Sequence, residues 1–254
     1  MGVWRISAPS QTNSTMNQSD KENISIDEAR ELVADQVLWP RVRDFLWDFA
    51  PSIHPSWLDG LTVGRLGDFD LTHLEETVTL SDCPAVKRHV LETLGVEPCF
   101  HTFPKDDGSR LLLLDGATLE AIAKWLGALA CAEQLRRVTD GATVRSLRAV
   151  LPGVYPEVFG FAAYFGKWKT ENGEWKVNGA DAGDKVVAVG HRILFSVLSS
   201  LPAQLLRRLE LKLPKNTRPS DADTASEGPV TAFDFQFVSK LLKLRFPEAY
   251  ALCC

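Results

Sequence analysis

The chain of 254 residues has no stretch approaching ~18 uninterrupted apolar side chains, so the sequence predicts no membrane-spanning helix. It has no excess of basic residues: 28 Lys+Arg stand against 33 Asp+Glu, a net charge of -5. That balance argues against a general nucleic-acid coat, which must neutralise many phosphates. The polar start, with Arg5 as its one early cation, lacks the apolar run of a signal peptide. Met1-Gly2 fails as a myristoylation start because Ile6 stands where Ser or Thr is needed. Five cysteines do not make the even framework of a disulfide scaffold. Cys83, Cys99 and Cys131 are therefore expected to be reduced, which points to the cytoplasm, and Cys253-Cys254 to be a reduced pair on a frayed end.

Catalytic signatures are missing too. Gly60, Gly64 and Gly67 match neither a dinucleotide fingerprint nor a P-loop, and no Gly-Lys-Ser/Thr occurs. There is no H-E-x-x-H and no G-x-S-x-G elbow. The acid pairs Glu75-Glu76 and Asp106-Asp107 read as solvated surface. Cys99-Phe100-His101 offers two ligand types but no second pair at a zinc spacing, so neither a metal nor a cofactor is expected. His54, His73, His89, His101 and His191 lie out of helical reach of one another, and His191 reads as a core or boundary histidine.

What is present is helical patterning. With 45% hydrophobic residues, the chain has enough apolar side chain for a sizeable core without a covalent staple. Residues 1–23 are polar and read as a disordered leader, and residues 24–254 as one mainly helical domain. Ser25 and Glu28 have capping-box spacing, and the apolar pattern after them is interrupted at Pro40, predicting two helices or one kinked helix. Further helices are predicted from Ser81 or Asp82 to Leu94, Ala117 to Val138, Thr143 to Leu151, Glu157 to Phe165, Asp184 to Leu201, and from Phe233 onward. The 117–138 segment is apolar around most of its circumference, which marks it as central. Residues 111–114 fit either a strand or a helix lead-in. One or two small β elements are expected: a hairpin near 167–177 around Asn172-Gly173, and near 208–213, where apolar and polar residues alternate, a short strand or else the end of a helix. Residues 215–229 read as a mobile linker, and no internal repeat stands out.

Three segments stand out, in order. The first is Phe49-Ala-Pro-Ser-Ile-His-Pro-Ser-Trp-Leu58, followed by Leu66-Gly-Asp-Phe-Asp-Leu71. The second is the central helix with those after it, and the third is Leu205-Leu-Arg-Arg-Leu-Glu-Leu-Lys-Leu-Pro214. Together they resemble the SctK family (YscK or PscK) of bacterial type III secretion. Ala50 departs from the family's cysteine, and the 167–177 hairpin resembles an insertion. The resemblance implies a non-enzymatic adaptor on the cytoplasmic side of the inner membrane, at the base of the injectisome. It would join the cytoplasmic domain of the ring protein SctD to the pod protein SctQ, and through SctQ reach the stalk SctL and the ATPase SctN. On that reading His54 and Trp57, on a loop held by two prolines, and Arg207, Arg208 and Lys212 are the candidate partner-binding residues. Two other readings stand beside it. One is a hydrolase with a dispersed site in a pocket of perturbed titratable groups; the other is a ligand-binding module built on Trp168 and Trp175.

Overall fold

The computed structural model describes residues 38–58, 84–96, 108–165, 177–215, 217 and 233–254. These form ten α-helices and short 3-10 turns, with no strand among the described residues. In chain order the helices are α1 (Leu38–Trp47), α2 (Pro84–Thr93), α3 (Gly116–Ala130), α4 (Ala132–Leu135), α5 (Gly141–Val150), α6 (Val158–Phe165), α7 (Ala182–Val197), α8 (Ala203–Lys212), α9 (Phe235–Arg245) and α10 (Pro247–Cys253).

The centre of the molecule is the crossing of α3 and α7. Leu119, Ile122, Ala123 and Leu126 of α3 are fully buried, as are Val186 and Leu194 of α7. The crossing depends on glycine. A Cβ placed on Gly190 would lie 1.8 Å from the Ala123 carbonyl oxygen, and one on Gly127 2.0 Å from that of Val186. The two backbones therefore touch, closer than any side chain would permit. α5 lies along α7 in the same manner: the Gly183 amide donates to the Ser146 hydroxyl at 3.1 Å.

The helix starts share one local chemistry. Asp115-Gly-Ala-Thr118 and Asp140-Gly-Ala-Thr143 are the same tetrapeptide, and each opens a helix. The Asp115 carboxylate accepts from the Thr118 amide at 2.7 Å and the Thr118 hydroxyl at 2.9 Å. Asp140 accepts from the amide and hydroxyl of Thr143, both at 2.8 Å. Each thereby satisfies an amide that has no partner inside its helix. α2 ends in a left-handed glycine, Gly95 at φ 69. The Val96 amide reaches back to the Leu91 carbonyl and the Gly95 amide to that of Glu92, the paired bonds of a Schellman cap.

Most helix expectations from the sequence hold within a few residues, with two differences. Pro40 lies in α1, and the segment before Leu38 lies outside the described residues. Residues 111–114 are the helix lead-in, a buried 3-10 turn, Ser109–Leu113, with its cap just before α3. The expected strand near 208–213 is the second half of helix α8. Its alternation misleads because the helix is enclosed on every side: Arg208, Glu210 and Lys212 are buried along with Leu209, Leu211 and Leu213. Lastly, Cys253 is not on a frayed end. It lies fully buried on α10, and burial pushes its thiol up to about 12, whereas Cys254 is exposed. The leader, the Ser25 cap and the hairpin near 167–177, apart from Val177, lie outside the described residues, as does nearly all of the 215–229 linker.

Candidate functional site

The five residues singled out from the sequence converge on helix α8. Pro51 is second in one 3-10 turn, Ala50–Ser52, and Pro55 starts another, leaving His54 extended between them at φ -65 and ψ 134. That backbone is what the residue before a proline prefers. The extended segment lies against the end of α8, whose last carbonyls have no partner within the helix. The His54 amide donates to the Leu211 carbonyl at 2.8 Å, and the Trp57 indole donates to that of Leu213 at 2.8 Å. Ser56 joins the two strands of the contact. Its hydroxyl accepts the Lys215 amide at 2.8 Å and lies 2.9 Å from His54 Nδ1, which also accepts the Ser56 amide.

Arg207 covers this junction. Its guanidinium stacks 5.0 Å over the Trp57 ring and donates twice to the Leu94 carbonyl, at 3.1 and 3.0 Å, closing the end of α2. A third nitrogen meets Glu210 at 2.8 Å. Arg208 points the opposite way, into the protein. It is 2 % exposed, donates to the Phe45 carbonyl at 2.6 Å, and lies 5.8 and 5.2 Å over the rings of Phe45 and Phe49. Lys212 is also buried and donates to the carbonyls of Leu112 and Leu114 at 2.6 and 2.8 Å. Burial pushes its ammonium down to about 7, against the pull of Asp115, which raises it. Burial works to raise the Asp115 carboxyl, but the two Thr118 bonds and Lys212 outweigh it and hold the group below its ordinary value.

The structure thus brings all five together, but not on one surface. His54, Trp57 and Arg207 are half-exposed, while Arg208 and Lys212 reach no solvent. Arg208 and Lys212 brace α1 and the 3-10 turn from inside.

A cleft of about 370 Å³ lies next to this cluster, lined by Trp47, Phe49, Pro84, Lys87, Leu91 and Arg208 among others. The groups with clearly shifted ionisation (Asp115, Asp140, His191, Lys212, Cys131 and Cys253) do not line it. Burial drives His191 down to about 4, and Nε2 has no hydrogen-bond partner among the described residues. Trp168 and Trp175 lie outside the described residues.

The profile of one family, described as YOP proteins translocation protein K (YscK), matches residues 52–235. The chain belongs to the YscK family. It is therefore a type III secretion protein. The YscK match opens at Ser52, two residues before His54, and runs through α8 to the start of α9, so all five residues fall inside it. No curated protein and no solved structure matches the chain. No helix among the described residues is long and apolar enough to cross a membrane. Sequence reasoning overlooked the Asp115 and Asp140 caps, although the repeated Asp-Gly-Ala-Thr was there to signal them. It also missed that the cations of α8 would be answered by main-chain carbonyls, which no side-chain pattern reveals.

Proposed function

We propose that this YscK-family chain is a non-enzymatic adaptor of the injectisome. It joins the cytoplasmic domain of the inner-membrane ring protein SctD to the pod protein SctQ, and through SctQ to SctL and the ATPase SctN. Its place on this reading is the cytoplasmic side of the inner membrane. The family match over residues 52–235 carries the proposal. The half-exposed junction of His54, Trp57 and Arg207 supports it, because a ring and a cation already held in place lose little entropy when a partner covers them.

Co-purification of the full chain with SctQ and the SctD domain from the same gene cluster tests the reading. A ternary complex is expected with the wild type. Trp57→Phe, which keeps a ring but removes the donor to Leu213, and Arg207→Gln are run beside it after their melting curves are checked. Loss of one partner by a folded variant assigns the junction to that partner. Failure of the wild type to bind either protein overturns the adaptor reading.

A further inference from the structure

Helix α6 is misplaced for its composition. Its sequence, Val-Phe-Gly-Phe-Ala-Ala-Tyr-Phe, has no charged side chain, yet only Val158 and Phe165 are buried. A surface helix ordinarily turns polar residues outward. Here the outward stripe is Phe159, Gly160, Ala163 and Tyr164, positions that neighbour one another at three- and four-residue steps. Tyr164 is 69 % exposed, and a Cβ on Gly160 would meet nothing within 4 Å. Phe159, at one edge of the stripe, is half-buried against Tyr155.

Cations surround that stripe. Arg136 lies 6.0 Å over the Phe159 ring and donates to its carbonyl at 3.3 Å. Arg245 lies 5.0 Å over Phe161, and Lys240 donates to the Tyr164 carbonyl while standing 5.1 Å over Phe165. Lys243 is exposed on the same helix as Lys240, and α9 carries no acid at all. Glu157 pairs with Arg245 at 2.9 Å and Glu133 lies 3.7 Å from Arg136, which leaves the charge of the exposed Lys240 and Lys243 as the surplus. In a chain of net charge -5, this concentration of positive charge around an apolar stripe runs against the composition.

We propose that the outer face of α6, with the lysines of α9 beside it, is the docking surface for an acidic segment of a partner protein that carries a protruding apolar side chain. The apolar side chain seats over Gly160 and Ala163 between Phe159 and Tyr164, and carboxylates on either side pair with Lys240, Lys243 and Arg136. Charge complementarity with the exposed lysines of α9 selects the partner. The inference rests on the adaptor reading and assigns one of its two contacts.

The test is titration of the full chain with the SctD cytoplasmic domain and with SctQ, separately. The chains compared are wild type, Ala163→Gln, Ala163→Glu and Gly160→Glu. Both sites are solvent-exposed, so no variant is expected to melt below wild type, and one that does is set aside in favour of the other site. One partner is expected to bind Ala163→Glu and Gly160→Glu at least tenfold more weakly than wild type, with Ala163→Gln between. Its wild-type affinity is also expected to fall as salt rises from 50 to 300 mM. Equal affinity of every variant for both partners overturns this surface and leaves the adaptor reading standing. Wild type that binds neither partner overturns the adaptor reading and this inference with it. If the carboxylate variants keep both partners but lose self-association, or lose binding to phosphatidylglycerol vesicles, the face belongs to a second copy or to lipid, and the proposal fails.

Discussion

His191 shows how one side chain sets a limit on the molecule's range of stability. It is 3 % exposed on α7, and the charged pair Glu120–Lys124 on α3 acts on it from across the crossing. Burial is the larger influence and lowers its ionisation to about 4, from an ordinary 6.5. The unfolded chain therefore binds a proton that the folded chain refuses. The contribution of His191 is whole above about pH 6.5 and is lost as the pH falls toward 4, by roughly 3 kcal/mol at most. Urea midpoints measured at pH 7.5 and pH 5 should differ more for wild type than for His191→Gln. Equal differences would mean that the ring is not kept neutral. Cys131 is an inert counterpart: fully buried where α3 ends, its thiol is pushed by burial up to about 12.

Among the elements, the glycines make opposite predictions according to what faces them. Gly190→Ala drives a methyl group into the Ala123 carbonyl, so α3 and α7 must part, at a cost of about 3 kcal/mol. Gly160→Ala adds a methyl group over open space and removes backbone freedom, which should stabilise by ~0.5–1 kcal/mol. Denaturant titration of the two variants should move the midpoint in opposite directions, and a neutral Gly190→Ala would contradict the close crossing. The pattern of what the sequence revealed follows the same physics. α3, α5 and α7 were legible because apolar residues recur every three or four positions along a helix that meets its neighbours on one broad face. α8 was not, because Arg208, Glu210 and Lys212 point inward, while an alternating pattern is read on the assumption that polar side chains face water. α10 was overlooked because Pro247 ends the pattern of α9, although a proline fits equally well in the first turn of a new helix. The site was half legible: the proline-held loop and the α8 cations were identifiable by residue type, but the inward aim of Arg208 and Lys212 was set by carbonyls of α1 and the 3-10 turn.

For the whole molecule, the contacts gathered on α8 join the most distant parts of the chain. Trp57 meets Leu213 across 156 residues, Arg208 meets Phe45 across 163, and Lys212 meets Leu112 across 100. The entropy of closing such loops must be overcome before any of these bonds can form, so they belong to the late stage of folding. Arg208→Met keeps the bulk of the side chain but removes its bond to the Phe45 carbonyl, a loss of about 2 kcal/mol. For a contact made after the rate-limiting step, that loss shows as unfolding that is ~30-fold faster, with folding unchanged. Stopped-flow measurement of both limbs checks this, and a slowed folding limb would place the contact early instead. What the buried cations of α8 govern is the lifetime of the folded chain rather than the speed at which it forms.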